Sequence, residues 1–261
     1  MKKILTIIPI LFLFAGTIFA DCKQTEERKF SIEGTFGWTH VSNSKNWLYD
    51  MEKFTYFHSE SFNISLYHEG FSRYGQRDDL IGTRATIKPL ELTTFVVDFF
   101  YTPKNDFIAR TRSSVEIIQN FWWHRQLVFS LGYSFFDFGN DLEGEYAWIH
   151  MFTPGIEYYL PLGFFAGYKA FLVVNRDSEL IHAHMGYFAW DNSKALTTLG
   201  FSIGEEFIAY YSSQGIEVRS FFARSMIKVL CPFYIGVQYQ FTIAGIESKR
   251  NEITGMLRYD F

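Results

Sequence analysis

The stretch Ile253-Thr254-Gly255-Met256-Leu257-Arg258-Tyr259-Asp260-Phe261 decides how the chain is read. Every odd position is apolar, aromatic or glycine, while even positions 254, 258 and 260 carry Thr, Arg and Asp. A strand sends odd and even residues to opposite faces, so one face is greasy and the other polar. An unpaired Tyr-x-Phe edge invites aggregation in a soluble protein. A closed barrel has no such edge, and lipid accepts the aromatic face. The alternation therefore implies an outer-membrane β-barrel, with Tyr259 and Phe261 as the C-terminal residues used in barrel assembly.

The other end of the chain agrees. Lys2 and Lys3 precede an apolar run from Ile4 to Phe19, and Ala20 is a small residue suited to cleavage. That order is the order of a secretory signal. A retained membrane helix would need a longer run. Asp21-Cys22 raises a lipoprotein alternative, but an acidic residue directly before the cysteine is wrong for lipidation. Expected segments are a signal peptide over 1–20, a periplasmic tail over 21–29 and a barrel over 30–261.

Loss of Lys2 and Lys3 with the signal leaves 22 basic against 28 acidic residues, a net charge of −6. Without a basic surface or a run of like charge, nucleic acid is excluded as a partner. Aromatic residues make up 20% of the chain, hydrophobic residues only 48%, and after residue 20 no apolar run reaches the length of a membrane helix. Aromatics spread through alternating segments fit a barrel with aromatic girdles. A secreted sandwich or lipocalin-like barrel is the competing architecture, with its aromatics turned inward.

The pattern divides into fourteen strands, near 30–41, 47–57, 61–71, 80–90, 93–101, 110–120, 126–137, 145–160, 164–175, 181–190, 196–204, 215–226, 233–243 and 251–261; twelve remain if two short segments are loops. Short connections such as Asp191-Asn192-Ser193-Lys194 alternate with more polar and often longer ones such as Ser72–Asp79, Thr102–Ala109 and Glu205–Gln214. This is the alternation of periplasmic turns with extracellular loops, with both termini in the periplasm.

Arg or Lys pointed at lipid near the midplane costs about 2–4 kcal/mol, so the polar face is assigned to the lumen. Parity then puts Glu33, Arg84, Lys88, Asp98, Arg112, Glu116, Glu157, Lys169, Glu217, Arg219, Glu252, Arg258 and Asp260 inside, with Phe165, Phe171 and Phe221. Two readings of this mixed set stand: charges pairing to satisfy a packed or partly wet interior, and a path for a solute.

Catalytic patterns are thin. Ser178, His182 and His184 lie near one loop, and the two histidines share a strand face at a spacing suited to a metal pair. Plain lumenal side chains are the competing account. His40 with Ser42 are rim residues, and His68 beside Glu69 has no assigned role. No phosphate loop, H-E-x-x-H or C-x-x-C occurs, and the sequence calls for no metal, cofactor or catalytic residue. Cys22 and Cys231 both fall on the periplasmic side, within reach of each other, which leaves a disulfide or two free thiols.

Several pieces, in order along residues 30–261, resemble the YaiO family of outer-membrane barrels. They are Arg73-Tyr74-Gly75 with Asp78, the hairpin from Pro89 to Phe100 leading to Tyr101-Thr102-Pro103, Leu131–Phe135 with Phe138, and Gly200–Glu206. Ile108-Ala109-Arg110-Thr111-Arg112 departs from the family where a Pro-Arg pair is expected. The resemblance implies a Gram-negative outer-membrane protein, sometimes associated with envelope polysaccharide systems, and supplies no catalytic residues. Expected surroundings are outer-membrane lipids and lipopolysaccharide, the barrel-assembly machinery during biogenesis, and a polysaccharide or periplasmic protein partner. A non-enzymatic small channel or a structural surface protein is the leading expectation. A lipid- or glycan-modifying enzyme, or a component of polysaccharide export, is the alternative.

Overall fold

In the closing seam of the barrel, the Phe261 carbonyl accepts N–H groups from Lys29 (3.1 Å) and Phe30 (2.7 Å), and its own N–H reaches the Phe30 carbonyl at 2.9 Å. The Phe30 and Phe261 rings stack with centroids 5.5 Å apart. The protein is described by a computed structural model over residues 29–42, 44–121, 123, 126–140, 146–176, 180–192, 194–206, 216–230, 232–245 and 248–261. The signal segment, Cys22, Ser178 and Cys231 lie outside these residues, and so does the Cys22–Cys231 pairing.

Fourteen strands form one closed antiparallel barrel. They are β1 (Phe30–Val41), β2 (Trp47–Ser59), β3 (Phe62–Arg73), β4 (Gln76–Leu90), β5 (Thr93–Tyr101), β6 (Thr111–Asn120), β7 (Leu127–Asn140), β8 (Tyr146–Tyr159), β9 (Phe164–Asn175), β10 (Leu180–Asp191), β11 (Ala195–Glu206), β12 (Ile216–Leu230), β13 (Phe233–Ala244) and β14 (Ser248–Asp260). Each strand pairs with its neighbours in sequence, and β1 pairs with β14, so no edge is left open. The count of fourteen settles the choice between twelve and fourteen. Residues 29 and 261 sit at the end with the short connections, the turn end; the opposite end is the loop end.

Paired rows such as Phe30, Tyr56, Ile64, Ala85 and Val97 begin at the turn end of β1 and climb strand by strand. That stagger is the tilt that lets a sheet close. Burial follows the period of two predicted from residues 253–261: Ile253, Leu257 and Tyr259 are exposed, whereas Thr254, Met256 and Asp260 are buried. The exposed residues continue around the wall as Phe36, Leu66, Phe99, Leu131, Phe201 and Phe221. No helix among the described residues is long and apolar enough to cross a membrane; the apolar girdle belongs to the strands.

The segment Ser72–Asp79, expected as a loop, is instead a tight hairpin. β3 continues to Arg73 and β4 starts at Gln76, with Tyr74 at φ 55° and Gly75 at φ 85°. Positive φ at both central residues gives the primed turn whose twist matches the flanking strands. On the inner face, Phe100 is almost fully buried and packs with Tyr67 and Leu80. It lies flat over Gly82, where a Cβ would overlap its ring.

Candidate functional site: the lumen and its inward loop

The lumenal polar groups are arranged in pairs, some across strands and some along one strand. Arg84 on β4 donates to both carboxylate oxygens of Asp98 on β5, at 2.6 and 3.0 Å, and Ser114 on β6 adds a bond of 2.9 Å to the same carboxylate. Direct opposition in the ladder makes this possible, since Arg84 and Asp98 are register partners and so are Asp98 and Ser114. Lys169 reaches Glu116 at 2.9 Å, Lys53 lies 3.8 Å from Glu33, and Arg258 holds Asp260 at 2.8 Å. Glu157 accepts hydrogen bonds from the hydroxyls of Tyr187 and Tyr159. Arg112 lies over the Phe100 ring, 4.0 Å from its centroid.

The loop between β5 and β6, residues 102–110, folds into the barrel mouth. Asp78, on the inner face of β4 and fully buried, accepts backbone N–H groups from Asp106, Phe107 and Ile108 at 3.0, 2.9 and 3.1 Å. Three donors on one carboxylate make a charge-assisted tether. Ile108 packs against the buried Tyr67–Leu80–Phe100 group. Thr102 closes the neck, its N–H on the Arg110 carbonyl at 2.8 Å and its hydroxyl on the Ala109 carbonyl at 2.8 Å. Asn105 donates to the Phe138 carbonyl at 3.0 Å, which moors the loop to β7. Arg110 bonds Asp137 at 2.6 Å, and that partner holds its guanidinium pKa above the usual value. The expected outer loop over 102–109 instead turns inward; Asp78 is visible in the chain, but its partners are backbone groups that carry no side-chain pattern.

The expected site residues are distributed as follows. Glu33, Arg84, Asp98, Arg112, Glu116, Glu157, Lys169, Glu252, Arg258 and Asp260 occupy inner positions, as do Phe165 and Phe171. Lys88 falls in the irregularity between Ile87 and Leu90 at the turn end of β4. Glu217 and Arg219 do not face the lumen, and neither does Phe221. Arg219 is paired with Ile243 and Ile203, and Phe221 with Phe241 and Phe201, all on the outer wall. The cause is the Phe221-Phe222 doublet, which supports either phase of alternation; near the loop end an outward Arg219–Glu217 pair at 2.6 Å is tolerated because the cost of charge falls towards the interface.

His182 and His184 are also on the outer wall, paired with Leu172 and Ala170. The Tyr168 hydroxyl lies 2.6 Å from His184 Nδ1, and the two imidazoles meet edge to face. They belong to the outer aromatic surface, so the two histidines of the expected polar site do not face a lumenal substrate. The residues missed by sequence reasoning form a second outward group on β2–β4. His68 Nδ1 lies 2.7 Å from Glu52, its Nε2 lies 3.3 Å from Asp79, and Arg77 bridges Asp50 at 2.9 Å and Asp79 at 2.8 Å. Asp50, Glu52 and His68 also bring three ligand-type atoms within 4.8 Å of one another, although Arg77 already occupies both oxygens of Asp50.

Fold and lumen together define an outer-membrane β-barrel. No profile of a known protein family matches the chain, and no curated protein matches it. Solved structures do. The outer membrane protein Omp33 of Acinetobacter baumannii is similar over 91% of this chain and 100% of its own, at 13% identity and a TM-score of 0.57. The CymD monoaromatic hydrocarbon channel matches over 90% and 88%, at 6% identity and 0.60. A bacterial polysaccharide outer membrane secretin matches over 90% and 100%, at 7% identity and 0.63. These likenesses are of fold.

Proposed function

We propose that the protein is a small-aperture channel of the Gram-negative outer membrane, of the YaiO type, delivered by a signal peptide cleaved near Ala20. The loop end faces the exterior and the turn end the periplasm. The observation that carries this reading is the inward loop 102–110 held by Asp78: it narrows the mouth from inside, where a surface protein would present it outward. Charge on the inner wall supports the same reading: Arg84–Asp98 joins neighbouring strands, Arg258–Asp260 lies along β14, and Lys169–Glu116 reaches from β9 to β6. A lumen lined with paired charge and hydroxyls stays wetted. The folds of Omp33 and of the CymD hydrocarbon channel are compatible with this role. His182 and His184 face outward, His184 beside the Tyr168 hydroxyl and the two imidazoles against each other, so they take no part in the lumenal path.

Liposome swelling with neutral sugars of graded size tests the proposal. Entry of a monosaccharide with exclusion of larger oligosaccharides is the expected result. Liposomes that hold correctly folded protein and admit no solute would overturn it.

A further inference from the structure

The inner wall has two unlike halves. On β1–β6 and β9, carboxylates and cations neutralise one another: Glu33 with Lys53, Asp98 with Arg84, Glu116 with Lys169. Across β11–β13 the polar residues of the wall are mostly hydroxyls and amides: Thr198, Ser202, Ser220, Gln238, Gln240 and Thr242. Ser202, Ser220, Gln240 and Thr242, together with Arg250 and Glu205, line a cavity of about 250 Å³ there. On β14, Glu252 is bonded by the hydroxyls of Thr39 and Thr254 at 3.2 Å each, and Asp260 is held by Arg258.

Arg224 stands apart from this arrangement. It occupies an inner position near the middle of β12, with Thr198 and Gln238 as its register partners, and its side chain is exposed to the lumen. Among the described residues it has no ion pair, hydrogen bond or ring contact. Lys228, lower on the same strand, lies over the Tyr234 ring at 5.8 Å. A guanidinium offers a planar fork of donors that fits a carboxylate bidentately. An uncompensated cation in a narrow lumen raises the local concentration of anions. Serine, threonine and glutamine side chains both donate and accept, so they match the hydroxyls of a polyol or sugar.

We infer that the β11–β13 wall is an anion-binding track for small hydroxylated carboxylates, with Arg224 holding the carboxylate and Ser202, Ser220, Gln240 and Thr242 receiving the hydroxyls. This rests on the channel reading and deepens it by naming the solute class.

The test uses the full refolded chain in a planar bilayer, each variant first shown to be folded by its heat-dependent gel mobility. Under a potassium chloride gradient, the reversal potential of the unsubstituted protein should report preference for chloride. Arg224→Gln should lower the chloride-to-potassium permeability ratio by about threefold or more, and Arg224→Glu should invert it. Arg224→Lys, which keeps the charge, should retain the preference, and Arg219→Gln, on the outer wall, should leave it unchanged. Potassium glucuronate added as a blocker should need about tenfold higher concentration in Arg224→Gln, the loss of one charge-assisted contact. A conducting barrel that prefers cations, or an Arg224→Gln variant identical to the parent in both readouts, would overturn the inference and leave the channel intact. Silence from a folded barrel would remove the channel reading itself, and this inference with it.

Discussion

Asp78 and Phe107 are 29 residues apart in sequence, yet the Asp78 carboxylate accepts the Phe107 N–H at 2.9 Å inside the barrel mouth. A side chain of the wall thereby fixes the path of a loop. Asp78→Ala removes the acceptor for three backbone donors while leaving β4 paired on both sides. Leaving partly buried donors unsatisfied costs about 1–3 kcal/mol. The loop should swing outward, single-channel conductance should rise, and trypsin should cut after Lys104 or Arg110 faster than in the parent. Unchanged conductance together with unchanged cleavage would show that the loop is held by other contacts.

Arg84 and Asp98 supply a measure of how wet the lumen is. Arg84 is 39% exposed in its side chain and Asp98 10% exposed. A double-mutant cycle with Arg84→Met and Asp98→Asn should give a coupling of about 1 kcal/mol, as for a hydrated pair, measured by urea unfolding from detergent or bilayer. A coupling several times larger would mean that water is excluded and the interior is closed.

Gly82 gives the Phe100 ring its place. Gly82→Val should displace the ring and, through it, Ile108 and the loop, at about 1–3 kcal/mol from overpacking. The readout is a lower temperature for the heat-induced change in gel mobility. Gly34→Val, where the added atoms meet open space on the outer wall, is the matched control and should change little.

The outward group of Asp50, Glu52, His68, Arg77 and Asp79 is held together by Arg77. Arg77→Met should leave Asp50 and Asp79 without their shared cation at the lipid-facing wall. Charge repulsion there should lower stability by about 1 kcal/mol or more, the outer-wall cost of a carboxylate being smaller than that of Arg or Lys. Arg77→Lys should recover part of it. Equal unfolding midpoints for parent and Arg77→Met would contradict this role.

Much of the architecture was legible in the chain because burial on one face of a strand forces a period of two. Residues 253–261 carry that period without a break, and the closing bonds of Phe261 fall where the alternation puts them. The phase was lost where neighbours have equal polarity: Phe221 beside Phe222 set Glu217 and Arg219 on the wrong wall. His182 and His184 misled for a related reason, since imidazole hydrogen-bonded to tyrosine is compatible with an aromatic girdle and looks polar only in isolation. The turn at Tyr74-Gly75 was hidden because a non-glycine residue with positive φ gives no compositional warning. The inward loop was the least visible feature. Its tether joins a carboxylate to backbone N–H groups across a long stretch of chain, and any sequence has those groups.

The most direct measurement is single-channel conductance of the refolded full-length protein in a planar bilayer, alongside a gel shift that proves folding. Stable, salt-dependent steps that grow in Asp78→Ala are the predicted result. A folded barrel that stays silent both as parent and as Asp78→Ala would contradict a channel narrowed by its inward loop.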